Sequence, residues 1–295
     1  MVPVALTAAL ALGSAAAAAS PSPRPPHAHA SALAVECRSS LTAKLHRRPR
    51  CLPAERMTLL EGGRIRRPAW TGRMASPLLA GWNQRQAFAG GIRVVRGPGV
   101  GRRHVTLFSV RPGDRPVGGS SGGERAEVAA STPDTAAGIG DERWYVWSTY
   151  FPRDFNPVPA STFNIFTQFH QLHATKDNCS PNVAFQVNTK LAPARIRLAV
   201  RGGSLNRTAC IAQTTWSTDT VSLELGRWYD FAFHVLWSPD PASGFVELAI
   251  DGRLVVPRTP LATLYRGQTV YAKQGFYRAP SSLVSRIYQA GMTRF

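Results

Sequence analysis

The stretch Val270 to Pro280, VYAKQGFYRAP, places two tyrosines, a lysine and a glycine at alternate positions. In a β-strand successive side chains point to opposite faces, so Tyr271, Lys273, Gly275 and Tyr277 project together while Phe276 turns away. One face is polar and proton-active and the other is apolar. Gly275 leaves a gap in the polar row, with room for a sugar ring or for another backbone.

The same two-residue period recurs along most of the chain. From about Met57 onward the sequence reads as short strands divided by Gly, Pro and Asp, among them GIRVVRG, HVTLFSVRP, GERAEVAAS, RWYVWSTYFP, NIFTQFHQLH, NVAFQVN, RIRLAVRGG, GFVELAIDGRLVV and RIYQAGMTRF. No long segment has helical period. Regularly spaced strands without intervening helices predict an all-β fold, a two-sheet antiparallel sandwich of the jelly-roll, concanavalin-like kind with a concave groove. Asp251-Gly252 between apolar strands marks a hairpin. In WYDFAFHVLWS, Tyr229, Phe231, Phe233, Val235 and Trp237 form the core set, leaving His234 on the outer or cleft side as an ordinary surface histidine. RGPGVGR superficially resembles a phosphate loop but lacks the spacing and the following helix, so Gly97, Gly99 and Gly101 are read as turn residues.

Composition narrows the class. The chain has 295 residues, 44% of them hydrophobic, enough for one large domain with a substantial core. The opening MVPVALTAALALGSAAAAAS reads as a secretory signal peptide over residues 1–19, without the usual basic n-region, so that the true start is expected upstream. A Pro/Ala-rich linker follows over 20–34, and a single domain over 35–295. Export to the extracellular space and no membrane span are the expectation. The four cysteines, Cys37, Cys51, Cys179 and Cys210, suit an oxidising compartment and allow three pairings, of which neighbour pairing is expected. None has zinc-site spacing. The net charge of +18 is almost all arginine and is scattered rather than gathered in a stripe, which argues against nucleic acid and for an acidic extracellular polymer.

Three strands carry the chemistry. In GERAEV, Arg125 and Glu127 share a face; in TQFHQ, Gln168 and His170 do; in YAKQGFYR, Tyr271, Lys273 and Tyr277 do. Placed side by side, the three sets would line one groove. Taken alone, Arg125 and Glu127 also read as a surface ion pair, and the tyrosines as half-buried sheet residues. In order, the sets resemble the RxE, QxH and YxKxGxY motifs of jelly-roll polysaccharide lyases, a group that includes alginate lyases. ERWYVWSTYFPRDF and WYDFAFHVLWSPDPASGFVELAIDG resemble the branch containing heparin lyase I and glucuronan lyase. The resemblance runs from about Arg93 to the C-terminus. Val128 and Ala129 stand where many alginate lyases have Leu and Arg, and Arg278 where Asn or Gln is frequent; these departures bear on the substrate.

The resemblance implies β-elimination on a uronic-acid polysaccharide. The C5 proton is removed, the bond from C4 to its oxygen breaks, and an unsaturated uronate remains. It implies that Arg125 and Gln168 neutralise the carboxylate, that His170 and Tyr277 handle the protons, and that Lys273, Tyr271 and Arg278 bind substrate. Which of His170 and Tyr277 is the base, which polymer is cut, and whether attack is endo or exo stay open. No cofactor or catalytic metal is required; a structural calcium occurs in some relatives, although no acidic loop here points to one. An anionic polysaccharide is the expected partner and a monomer the expected state. A non-catalytic carbohydrate-binding sandwich is one alternative. A glycoside hydrolase is another, but needs two carboxylates flanking the bond, for which Glu127, Glu224 and Glu247 are the strand candidates.

Overall fold

Alternation of apolar and polar side chains builds nearly every element of the computed structural model, which describes residues 34–37, 57–61, 64–74, 80–99, 104–117, 122–172, 179–206 and 209–295. The strands are β1 (Ala34–Cys37), β2 (Met57–Glu61), β3 (Arg64–Arg66), β4 (Trp70–Gly72), β5 (Gln84–Gln86) and β6 (Ile92–Arg96). They continue as β7 (His104–Val110), β8 (Glu124–Ala130), β9 (Glu142–Phe151), β10 (Asn164–Gln171), β11 (Val183–Asn188) and β12 (Arg195–Asn206). The last six are β13 (Ile211–Ser222), β14 (Arg227–Leu236), β15 (Phe245–Ile250), β16 (Arg253–Pro260), β17 (Val270–Arg278) and β18 (Ser285–Arg294). Among the described residues there is no α-helix, and so none long and apolar enough to cross a membrane. The expected signal peptide, nearly all of the linker and the pairing of Cys37 with Cys51 lie outside the described residues. Cys179 and Cys210 form a disulfide, as neighbour pairing predicts.

Two antiparallel sheets form the sandwich. One runs β13-β12-β11-β10-β17-β8-β5; the other runs β16-β15-β14-β9-β18-β7-β6, with β4 added beside β18; β1, β2 and β3 make a small separate sheet. β15 and β16 meet through Asp251 and Gly252, both at positive φ (53° and 74°), with Ile250 paired to Arg253. This is the two-residue turn that an Asp-Gly pair favours, because both central positions need φ above zero.

The inner faces meet in an aromatic core. Trp147 of β9 stacks on Phe231 of β14 at 4.9 Å between centroids and meets Phe185 of β11, from the facing sheet, edge-on at 4.8 Å. Phe169 of β10 is wholly buried against Tyr145 and Phe233 of the facing sheet and against Trp237. It is the inward residue between Gln168 and His170, so the core directly fixes which way those two point.

One irregularity sets the phase of β10. Ile165 pairs with Tyr277 and Thr167 with Gln274, so the ladder slips between them. Phe166 joins the aromatic core, while Thr167 Oγ1 and the Phe166 carbonyl both receive Nε2 of Gln289 from β18 of the facing sheet (3.4 and 2.8 Å). Two consecutive residues thus face inward, as a β-bulge allows. The buried amide of Gln289 finds its partners at that bulge, as a buried donor must.

Phe169→Ala is expected to lower the unfolding free energy by about 3–5 kcal/mol, since it removes a fully buried ring from between two sheets. Chemical denaturation with an unchanged m-value would measure it.

Candidate active site

β10, β17 and β8 are neighbours in the seven-stranded sheet although they come from distant parts of the chain. Their inward residues, Phe169, Ala272, Phe276, Ala126 and Val128, belong to the core. Period two therefore turns Gln168, His170, Tyr271, Lys273, Tyr277, Arg125 and Glu127 to the outer face. Gln168 pairs with Lys273, His170 with Tyr271, and Arg125 with Tyr277.

Gly275 is required by a close backbone approach. Its φ is +137°, and a Cβ there would lie 2.2 Å from the Ala126 carbonyl oxygen and 2.7 Å from Glu127 Cα. Of the two uses foreseen for this gap, the structure shows the neighbouring backbone of β8 filling it. That approach brings Glu127 between β17 and β10.

Glu127 is the hub, a role that the motif alone did not reveal. Its carboxylate, 2% exposed, receives Lys273 Nζ at 2.9 Å, Gln168 Nε2 at 2.5 Å and Arg125 Nη1 at 3.5 Å. The surface ion pair that Arg125 and Glu127 suggest in isolation is thus a buried network joining three strands. Burial alone would raise the Glu127 pKa; the adjacent Lys273 and Arg125 charges and the hydrogen bonds outweigh it and hold the group below its usual range. Burial lowers the Lys273 pKa, and the Glu127 charge opposes that. With Lys273 protonated, two cations face one carboxylate, leaving one positive charge in excess on a largely dehydrated surface.

The flanking groups differ at the two ends. His170 is half-buried beside Tyr271, ring centroids 6.1 Å apart, with Nδ1 3.4 Å from the Gln171 carbonyl oxygen. Loss of water and then the Lys273 charge push its pKa down to about 4, so the imidazole is neutral at pH 7. The Tyr271 phenol is pushed up to about 12 by burial and by the Glu127 charge. At the other end the Arg125 guanidinium lies 3.7 Å above the Tyr277 ring, and Phe163 meets that ring edge-on at 4.6 Å. A Cβ on Gly123 would strike the same ring, so the phenol leans toward the start of β8. It leans away from His170.

Several expectations change here. His170 and Tyr277 share a face but are not adjacent: their levels on β10, at His170 and Ile165, are five residues apart, on the order of 15 Å along a strand. The phenol next to His170 is Tyr271. The cation on Tyr277 is Arg125. Arg278 does not reach the site; it is fully buried, with Nη2 2.9 Å from Glu124 and Nη1 donating to Ser285 Oγ at 2.7 Å, and is a structural ion pair rather than a substrate ligand. His234 is neither in the cleft nor an ordinary surface residue. It is buried on the outer face of the other sheet, stacked 3.9 Å from Trp144 with Nε2 2.8 Å from Glu142.

Glu247 lies on β15, in the sheet facing away from Glu127, and Glu224 is exposed in the turn before β14. Among the described residues no second carboxylate shares the outer face with Glu127 near His170, so the paired-acid arrangement of a hydrolase is not formed. Among those residues, too, no group of three or more His, Cys, Asp or Glu is placed to hold a metal ion.

A sequence-family model described as polysaccharide lyase matches residues 78–292. The chain belongs to the polysaccharide lyase family, and the protein is a polysaccharide lyase. The solved structure of an endo-β-1,4-glucuronan lyase from the fungus Trichoderma reesei superposes with a TM-score of 0.61 at 13% identity, covering 77% of this chain and 95% of that one. An alginate lyase from Pseudomonas aeruginosa is similar with a TM-score of 0.46 at 18% identity, covering 65% and 82%. No curated protein sequence matches the chain.

Glu127→Gln is expected to cost about 3–5 kcal/mol, because two buried cations lose their counter-charge. The folded pKa of Glu127 is depressed, so its contribution is complete above the unfolded value near 4.5 and is lost as pH falls through the lower folded value. Unfolding curves at pH 7 and below pH 4 should show the parent losing more stability on acidification than the variant.

Proposed function

We propose that this outer face performs β-elimination on a uronic-acid-containing polysaccharide, and that the excess positive charge of the Arg125–Lys273–Glu127 cluster is what recruits the uronate. Removing the C5 proton drives negative charge onto the neighbouring carboxylate. Donors aimed at that carboxylate lower the barrier most when they are already oriented and dry. Gln168 and Arg125 are both nearly buried and are held in place through Glu127. The second N–H of Gln168 Nε2 and the N–H of Arg125 Nε are donors that Glu127 does not use.

His170, neutral at pH 7, is suited to take the C5 proton. The leaving O4 then needs a proton, and Tyr277 is the donor that the motif resemblance implies. This assignment requires the phenol to swing off Arg125 toward the sugar when the carboxylate takes over the guanidinium. A second reading is favoured by the strand register, which sets Tyr271 beside His170 and makes it the donor without rearrangement. With Tyr271 as donor, the phenolate returns to phenol by taking the proton that His170 removed; with Tyr277, His170 releases its proton to water and the phenolate takes one from water, and either way the site is restored. Lys273 holds Glu127 and adds positive potential. The apolar leader over residues 1–19 supports export of the enzyme to where such polymers occur.

Incubation with polyglucuronate, alginate and heparin-like polymers should raise the ultraviolet absorbance of an unsaturated uronate on at least one of them. His170→Asn should reduce kcat by about 10²–10⁴-fold. Tyr277→Phe should do the same; if it leaves kcat intact while Tyr271→Phe abolishes it, the donor is Tyr271. Because the folded His170 pKa is held near 4, kcat/KM should stay level from neutral pH down to about 5 and fall only as pH approaches 4. An acid limb at the ordinary histidine value would contradict the assignment.

A further inference from the structure

The ladder between β10 and β11 stops at Phe169, one residue before His170. Its pairs run from Ile165 with Gln186 to Phe169 with Val183, so His170 and Gln171 are paired with β17 alone, through Tyr271 and Val270. A strand end with one neighbour opens more readily than one with two. Here side chains close the open side instead. Gln171 is buried, and its Nε2 donates to the Ser180 carbonyl oxygen at 2.7 Å. The same oxygen accepts from Oη of the buried Tyr265 at 3.1 Å. Cys179, the residue before Ser180, is buried and joined by its disulfide to Cys210, which immediately precedes β13.

Gln171 also meets His170 directly. Its carbonyl oxygen lies 3.4 Å from His170 Nδ1. A carbonyl can only accept, so Nδ1 carries the hydrogen in this contact and Nε2 is left with the lone pair. The residue anchored on Ser180 is therefore the one that orients the imidazole. Among the described residues, the titratable and charged groups facing His170 are Tyr271 and Lys273 from β17 and Glu127 and Arg125 from β8. None of them belongs to the chain that returns through Cys179 and Ser180, so loosening that chain leaves those groups in place and changes the access of water to the ring.

We propose that Gln171 and the Cys179–Cys210 disulfide are positioning elements for His170, which act through the Ser180 carbonyl to replace the missing ladder and to hold the imidazole oriented and shielded from water. The disulfide fixes where Ser180 lies, Ser180 fixes the Gln171 amide, and Gln171 fixes the end of β10. Breaking any of these links lets the strand end open and water reach the ring. Water favours the charged imidazolium, and loss of water is the first cause of the lowered His170 pKa, so hydration returns it toward the ordinary value of 6.5. The part that His170 plays in β-elimination rests on the lyase reading, whereas its positioning does not.

The test uses Gln171→Leu and, separately, the double variant Cys179→Ser with Cys210→Ser, beside reversible reduction of the parent by a dithiol. Val256→Ala, in the core on β16 of the other sheet, is the destabilised control, and thermal melting is run on every protein. Imidazole signals are followed by NMR from neutral pH down to about 5, and His170 is identified by the signal missing from His170→Asn. In the parent and in Val256→Ala the His170 signal should stay constant over that range, because its pKa is held near about 4. In Gln171→Leu and in the disulfide-free protein it should titrate within the range, a gain in proton affinity of about tenfold or more. On whichever uronate polymer is cut, kcat/KM should then fall on acidification in the same range, and kcat at pH 7 should drop about tenfold or more. Reoxidation of the reduced parent should restore both. A His170 signal that stays constant in folded Gln171→Leu and in the disulfide-free protein, while their melting temperatures fall, would make these contacts structural only and overturn the proposal. Titration as expected in variants of a parent that forms no unsaturated product would keep the positioning role and remove the lyase assignment.

Discussion

A carboxylate with almost no access to water, that of Glu127, must be satisfied inside the protein, and the way it is satisfied organises the site. It draws one donor from each of three places: Lys273 on β17, Gln168 on β10 and Arg125 on its own strand. Removing Lys273 or Arg125 would weaken the compensation of that charge in a region where Coulomb interactions are weakly screened, and removing Gln168 would cost it a hydrogen bond. The same contacts fix the Gln168 amide and the guanidinium in orientation. The donors that would meet a uronate are thus held in place before it arrives, and the second cation supplies the attraction.

That arrangement depends on backbone geometry that side chains alone do not supply. Gly275 lets β8 approach β17 closely enough for Glu127 to reach Lys273, and any larger residue would meet the Ala126 carbonyl. The bulge at Phe166 turns two successive residues of β10 inward, after which Gln168 and His170 face outward and Phe169 is clamped between the sheets. Packing in the core and chemistry on the outer face are two sides of the same strands.

Much of this was legible in the chain, because a strand's two faces are written in its alternation. The amphipathic strands, the Asp251-Gly252 hairpin and the outward set on β8, β10 and β17 all follow from it. β13 is not legible in this way: its outward Thr and Ser residues and exposed edge give it no apolar face as marked as that of its neighbours, and only its content of Thr, Val, Ile and Trp signals a strand. Arg278 looked like a continuation of the polar row, yet it stands one residue out of phase with Tyr277 and is buried on Glu124. Alternation puts His234 on the outward side of its strand, but does not say that Trp144 and Glu142 cover it.

The sequence by itself determined the class of fold and which residues could share a face, since both depend on a period of two that every strand carries locally. It could not determine which residues sit at the same level. Pairing across strands depends on register, and register depends on bulges and close approaches between segments more than a hundred residues apart. The tertiary structure therefore decided that Tyr271, rather than Tyr277, lies beside His170 and that Glu127 is a hub. The physical reason is that side-chain direction is a property of one strand, whereas distance between side chains is a property of the sheet.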